Sequence, residues 1–300
     1  MRLNPIVKKD LQVSARSMRL SWGLFGYEAL LTMAFLLALL IIEEETNYIY
    51  SSGNIYGYLV YLFPVVAIVQ VCIVALIVPI ITASSISGEK ERQTFDIMMT
   101  TCMSPFSIVL GKVISAVIRI MFYVAASLPI MALSFVAGGL SWGYLLLLLL
   151  AIILLAVFSG SIGIMCSAFS RKSITAVIMS FGVYSVVYGG TFLPLVLRVF
   201  IGSANDGGEC LLPLLFNPGV FFEEFFMKIM TGYTLLGKDS FEKDDVGFIT
   251  YAITGNDMWV YLSAACILLL SLVFMLIAAW KVNPMHAGSG KGLSKKKKEN

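Results

Sequence analysis

The chain has 300 residues, of which 59% are hydrophobic and 13% charged, with a formal net charge of +3. Soluble domains average roughly 45–50% apolar and about 25% charged, so this composition cannot cover a water-soluble globule. Its apolar residues also gather in runs of about 18 or more, the length that crosses a bilayer, which points to one helical membrane domain.

The lone histidine, His286, lies near the C-terminus, so neither a histidine triad nor an imidazole metal cluster can be built. The five cysteines (Cys72, Cys102, Cys166, Cys210 and Cys266) are scattered singly with no CxxC pair, which implies no disulfide framework and no zinc site.

In chain order, residues 1–20 carry five Lys or Arg and no continuous apolar core, unlike a signal peptide. Val7, Leu11, Ala15 and Met18 share one helical stripe, with Lys8, Gln12, Arg16 and Arg19 beside it. Asn4 and Pro5 suit an N-cap and a first helical position. The segment reads as an amphipathic helix lying in the interface, the alternative being a basic flank to the first span.

Six apolar segments follow, at about 22–42, 57–83, 108–137, 142–168, 174–200 and 258–281, within a domain of 21–283. At ~1.5 Å per residue each can cross a ~30 Å hydrocarbon core, and Pro64, Pro79 and Pro129 are tolerable where neighbouring helices satisfy the freed carbonyls. With both termini on the cytoplasmic side, all but four of the 21 basic residues fall on that side. The four are Arg198, Lys228, Lys238 and Lys243, and the outer side also collects Glu43, Glu44 and Glu45. This asymmetry sets the predicted orientation in a cytoplasmic membrane, expected to be bacterial. Tyr56, Tyr58, Tyr61, Trp142, Tyr144 and Trp259 fall at the outer ends of spans, where aromatic belts anchor.

Two connections exceed turns: a cytoplasmic loop at 84–107 and an outer loop at 201–257. In the latter, Phe222, Phe225, Phe226 and Ile229 recur at helical spacing, predicting a short helix that either lies in the outer leaflet or packs its rings on the bundle. The Gly-, Ser- and Lys-rich tail, 284–300, is expected to be disordered.

Ionisable residues inside spans are the default functional candidates. Glu28 in the first span either lines a cavity with a partner cation or sits near the headgroups, and Arg198 ends the fifth span. Together with Phe222, Phe225 and Phe226 these are the candidate pathway or gate residues. Lys112 and Arg119 share a face of the third span near the cytoplasm, where long stems can snorkel. Ser159, Gly163 and Ser167 form a small-residue stripe suited to close helix packing. No GxxxxGK[ST] loop, HExxH, nucleophile elbow or acidic dyad is present, so the chain is not expected to be an enzyme.

The segment ISGEKERQTFDIMMTTCMSPFSIVLGK, residues 86–112, carries the most information. Phe95, Met98 and Met99 form an apolar stripe, with Glu89, Lys90, Glu91, Arg92 and Asp96 predicted to be exposed around it on a short helix. Ser104–Pro105 reads as the cap and first residue of the next long helix.

This run resembles the cytoplasmic signature of type 2 ABC-transporter permeases: a Glu-Arg-Glu or Glu-Lys-Glu triplet, Gly-Thr, an apolar-acidic pair, a Ser-Thr-Pro-hydrophobic-Ser run and a closing hydrophobic-Gly-Lys. Glu89-Lys90-Glu91, Thr94, Phe95-Asp96, Thr100-Thr101, Ser104 and Leu110-Gly111-Lys112 match it. Gln93 stands where Gly is usual, Cys102 where Pro is usual, and Pro105-Phe106 where a basic-aromatic pair is often found. The likeness extends to the N-terminal helix, the six spans and the long outer loop.

The resemblance implies an all-α permease subunit of an ABC exporter, paired with a second permease subunit, identical or similar, and with separate ATP-binding subunits. ATP and magnesium would sit on those subunits, with no cofactor or metal in this chain. A docking interface is implied at Ser87, Gly88, Glu89, Lys90, Glu91, Arg92, Thr94, Phe95, Asp96, Met98 and Met99. Membrane lipid is a further partner, and nucleic acid is not. The rival reading, a secondary transporter or channel that needs no ATPase, predicts paired broken helices and several buried charges, neither of which stands out.

Overall fold

The computed structural model describes residues 7–8, 10, 12–13, 17–48, 59–95, 104–138, 142–201, 211–232, 234–236, 250, 252–253 and 258–283. The described residues are helical throughout apart from short turns, with no strand among them. The helices are α1 (Met18–Tyr48), α2 (Leu62–Glu91), α3 (Pro105–Gly138), α4 (Trp142–Phe169), α5 (Ser173–Gly190), α6 (Leu193–Ile201), α7 (Pro218–Thr231) and α8 (Trp259–Val282), with a 3-10 turn at Leu212–Phe216 before α7. Six of them, α1 to α5 and α8, are long and apolar enough to cross a bilayer.

The helices begin and end where local chemistry directs. Ser104 Oγ accepts from Ser107 N–H at 3.3 Å and Pro105 takes the first position of α3, as the sequence predicted. The predicted fifth span is broken: α5 stops at Gly190, and α6 restarts after Thr191 and Phe192 with Pro194 in its first turn. Two consecutive glycines and a proline lacking an N–H weaken continuous helix there.

The core is centred on α2 and α4, the most extensively packed pair. Gly163 makes the crossing possible, since a Cβ there would lie 1.9 Å from Thr82 Oγ1 and 3.2 Å from the Ala83 nitrogen. Gly163 and its neighbours Ser159 and Ser167 are all buried, so the small-residue stripe is a packing seam. Around the pair, α1, α3, α5, α7 and α8 contribute Leu31, Ile120, Tyr184, Phe225 and Ile267 to one apolar cluster. A polar knot crosses it: Ser127 Oγ accepts from Tyr27 Oη at 3.3 Å and from Gln70 Nε2 at 3.2 Å, tying α1 and α2 to α3.

A second apolar cluster joins Ile86, Val109, Val113, Ile164 and Ala278 where α2, α4 and α8 end and α3 begins. Lys90, Arg92, Lys112, Arg171, Lys172 and Lys281 surround this basic end of the bundle. At the far end, Tyr61 and Trp142 are exposed as belt residues should be. Trp259, by contrast, is fully buried with Leu214 and Leu215 of the 3-10 turn. Tyr56 and Tyr58 lie outside the described residues.

Candidate functional site

At the basic end, α2 runs on past the predicted membrane edge through Glu91. Ser87 to Glu91 therefore belong to the second span's own helix and do not open a separate one. Ser167 Oγ supplies α2 with an acceptor for two successive N–H groups, Ile86 at 2.9 Å and Ser87 at 2.8 Å, so α4 grips the helix one turn before its end.

The helix stops in a Schellman motif: Gln93 N–H bonds the Lys90 carbonyl at 3.1 Å and Thr94 N–H the Glu89 carbonyl at 3.0 Å. The motif requires one left-handed residue, and that residue is Gln93 at φ 59°. Gln93 is the position where the resembled signature carries glycine. The structure supplies the reason, since glycine adopts this conformation without a Cβ clash.

The three charges before the stop reach three different elements. Glu89 Oε1 accepts from Lys112 Nζ of α3 at 2.8 Å, and Asp10 of the N-terminal segment lies 3.2 Å from the same ammonium. Lys90 donates to the Ala168 and Ser170 carbonyls at the end of α4, where a cation suits both the free carbonyls and the helix dipole. Glu91 Oε2 accepts from the backbone N–H of Ser173 at 3.3 Å and from its hydroxyl at 2.9 Å, placing an anion at the start of α5. The last turn of α2 is thereby fastened to α3, α4, α5 and the N-terminal segment.

Several expectations change with this geometry. Glu89 and Lys90 are half-buried and engaged within the chain, while Glu91 and Arg92 are exposed as predicted. Lys112 is buried, with its ammonium held in these two ion pairs. Phe95 packs half-buried against the cluster at the basic end, its ring 5.5 Å from Lys90 Nζ. Asp96, Met98 and Met99 lie outside the described residues, as do Leu11, Ala15 and Arg16 of the N-terminal stripe. Val7 of that stripe is buried, and Met18 is exposed as the first residue of α1.

Beside these contacts, a cavity of about 950 Å³ is lined by Asp10, Ile81, Thr82, Ser84, Ser85, Glu89, Lys112, Ser115, Ala116 and Arg119, among others. Sequence reasoning missed this cavity, because it forms between the N-terminal segment, α2, α3 and the start of α5, which are separate in the chain.

At the far end, α7 forms where the aromatic spacing placed a helix, and Phe221, Phe222, Phe225, Phe226 and Ile229 are all buried. They belong to one apolar cluster with Tyr184 of α5 and Ile267 of α8, so the rings pack on the bundle. Asn217 fixes the helix in place. Its Oδ1 caps α7 by accepting from Gly219 N–H at 2.8 Å, and its Nδ2 donates to the Tyr188 carbonyl at 3.0 Å and to Thr191 Oγ1 at 2.8 Å. One side chain thus caps α7 and satisfies the free end of α5. The sequence signal was Asn-Pro-Gly ahead of an aromatic run, an N-cap with proline at the first helical position. Glu28 is half-buried in α1, its Oε1 shielded from solvent and without a hydrogen-bond partner among the described residues. Arg198 falls within α6.

The six spans, the charged triplet at the end of α2 and the capped start of α3 describe a known arrangement. The family model of ABC-2 family transporter proteins matches residues 5–280. The chain belongs to this family. No curated protein matches it. As an ABC-2 family member it is a membrane permease of an ABC transporter, a multi-pass component of a kind that generally works with ATP-binding subunits.

Proposed function

We propose that this ABC-2 permease is the membrane subunit of an ATP-driven exporter, coupled to cytoplasmic ATPases through the segment that leaves α2 at Gln93. The observation that carries the reading is the fastening of Glu89, Lys90 and Glu91 to three different spans. A push on a flexible connection would be lost locally, whereas a push on residues 92–99 reaches α3, α4 and α5 through short polar contacts. That favours rigid-body rocking of spans and alternating access. ATP and magnesium act on the partner subunits, and this chain contributes the pathway and the lever. Ser87 to Phe95, with Asp96, Met98 and Met99, are assigned to the docking region, with Arg92 as the exposed contact and Phe95 as its anchor.

A second permease subunit completes the pathway in this reading. Its support is α5, whose Ile174, Ile178 and Val186 are exposed and whose Gly182 and Gly189 have open space beside them. The outer gate is assigned to the buried Phe222, Phe225 and Phe226, and Arg198 and Glu28 are assigned to the pathway. In this reading the basic end of the bundle faces the cytoplasm. In a cysteine-free background, Arg92→Cys and Thr231→Cys should be labelled by an impermeant reagent from opposite faces of the membrane, and labelling from the same face refutes the orientation.

Copurification with the ATP-binding subunit, together with ATPase stimulation, tests the coupling. Arg92→Glu changes an exposed side chain and should weaken association about tenfold or more without altering expression or gel-filtration behaviour, since charge reversal at an interface commonly costs more than 1 kcal/mol. Phe95→Ala should weaken association further, by removing an aromatic anchor. If both variants keep wild-type association and transport, the segment is an ordinary connection and the exporter reading fails.

A further inference from the structure

Where α4 ends, cations from three elements converge. Lys90 of α2 donates to the Ala168 carbonyl and, at 3.4 Å, to that of Ser170. Lys281 of α8 holds its ammonium 5.2 Å from the centre of the Phe169 ring, and Arg171 follows next in the chain. All three thus address residues 168–171, and both Lys281 and Arg171 are close enough to repel Lys90. The carboxylates of the same end are committed elsewhere. Asp10 and Glu89 share Lys112, while Glu91 bonds Ser173 and lies within the field of Lys172 and Arg92. Lys90, Arg171 and Lys281 form no ion pair with a carboxylate among the described residues. Like charges gathered without a counter-charge cost free energy, which a bound anion recovers.

Depth selects the kind of anion. Phe169 is the last residue of α4 and Lys281 the last but one of α8, so the cluster sits in the final turn of two spans, at the level of lipid headgroups. Leu269, Leu272, Leu276 and Trp280 form one exposed apolar stripe down α8 that ends beside Lys281, and the Phe169 ring under that ammonium is exposed as well. A protein in the cytoplasm would meet the cations and leave the stripe uncovered. A lipid covers both, with its phosphate on the cations and its chain on the stripe.

We propose that this cluster binds an anionic phospholipid, its phosphate held by the Arg171 guanidinium and the Lys281 ammonium and one acyl chain following the α8 stripe. Lys90 keeps its bonds to the α4 carbonyls and acts on the phosphate through its charge. The lipid joins the end of α4 to the end of α8, next to the point where α2 is fastened. The inference does not depend on the exporter reading, because occupancy is measured on the permease alone.

The test reads the fluorescence of Trp280, which stands beside the cluster. The full chain carries Trp22→Phe and Trp142→Phe, and the buried Trp259 remains as a constant background. It is placed in nanodiscs of phosphatidylcholine holding a minor fraction of either dibrominated phosphatidylglycerol or dibrominated phosphatidylcholine, whose bromines quench a tryptophan they touch. Quenching by the brominated phosphatidylglycerol should correspond to a local enrichment of about tenfold over the brominated phosphatidylcholine, and should shrink as salt is raised. Arg171→Gln and Lys281→Gln, both at exposed positions, should each remove most of this preference, and Arg171→Lys should keep most of it. Lys172→Gln deletes a neighbouring charge outside the cluster and should leave the preference in place. Equal quenching by the two lipids overturns the proposal and leaves the surface to a protein partner. An equal loss of preference in Lys172→Gln, the mark of diffuse attraction to a basic end, also overturns it, as does displacement of the lipid by soluble glycerol phosphate at matched concentration.

Discussion

Lys112→Met removes one charge and keeps most of the side-chain volume, so it isolates the ion pairs that tie α3 to α2 and to the N-terminal segment. The Lys112 side chain is 5% exposed, and its partners Asp10 and Glu89 are 20% and 22% exposed. Breaking a fully buried pair by deleting one partner costs about 3–5 kcal/mol, because the remaining charge is left desolvated. Here the two remaining carboxylates keep about a fifth of their exposure and recover part of their hydration, which brings the expected cost to about 2–3 kcal/mol. For a chain of this size that corresponds to a fall of roughly 4–12 °C in the midpoint of thermal unfolding in detergent, at about 2–4 °C per kcal/mol. Glu89→Gln alone should cost less, since Asp10 continues to neutralise Lys112. The double variant should then fall short of the sum of the singles by about 1 kcal/mol or more, the sign of direct coupling. A Lys112→Met midpoint within a degree of wild type, or strict additivity in the cycle, would refute the claim that this lysine holds the joint together.

Gln93→Gly places the residue without a Cβ at the left-handed stop of α2 and should stabilise the chain by about 0.5–1 kcal/mol, seen as a raised unfolding midpoint. An unchanged or lowered midpoint would contradict the Schellman assignment. Gly163→Ala drives a Cβ into Thr82 and should destabilise by about 1–3 kcal/mol, with Thr82→Ala relieving only part of the overlap, as read from folded yield and midpoint. Asn217→Ala loses three hydrogen bonds at a buried position and should cost about 2–3 kcal/mol, with protease cleavage near 202–217 accelerated. Asn217→Asp keeps the cap but turns a carboxylate toward the Tyr188 carbonyl, so it should recover little of the loss, and full recovery would show that the link to α5 contributes nothing.

How much of this could be read beforehand depended on the range of the interaction. Span number followed from apolar length, and the start of α3 from Ser104–Pro105, because both are decided within a few residues. The aromatic helix was legible in the spacing of Phe222, Phe225, Phe226 and Ile229, yet whether its rings met lipid or protein was open, since local periodicity cannot name the surface a face meets. The break after Gly190 was missed because the apolar run resumes at Phe192 and continues to Leu197, which masks two glycines and a proline. In the charged triplet the exposure of Glu91 was legible, but the burial of Glu89 and Lys90 and the internal partners of all three were not, because alternating charges look solvated when the residues that meet them lie 23 to 82 positions away.

That misreading bears on coupling itself. Had the triplet been solvated, the segment after α2 could have docked on a partner while remaining mechanically independent of the bundle, and its charges would have acted only through recognition. With Glu89, Lys90 and Glu91 each committed to a different element, none of the three is free to read a partner's surface without giving up an internal contact. In the proposed coupling, recognition then falls to Arg92 and the residues that follow it, and the triplet serves as the transmission. A partner that tilts the stop at Gln93 must carry α3, the end of α4 and the start of α5 with it or break one of three short polar links. Intact links move the spans as a unit, and a broken link separates docking from gating, so variants of the triplet should bind an ATPase and fail to open the pathway, while variants of Arg92 should fail at binding.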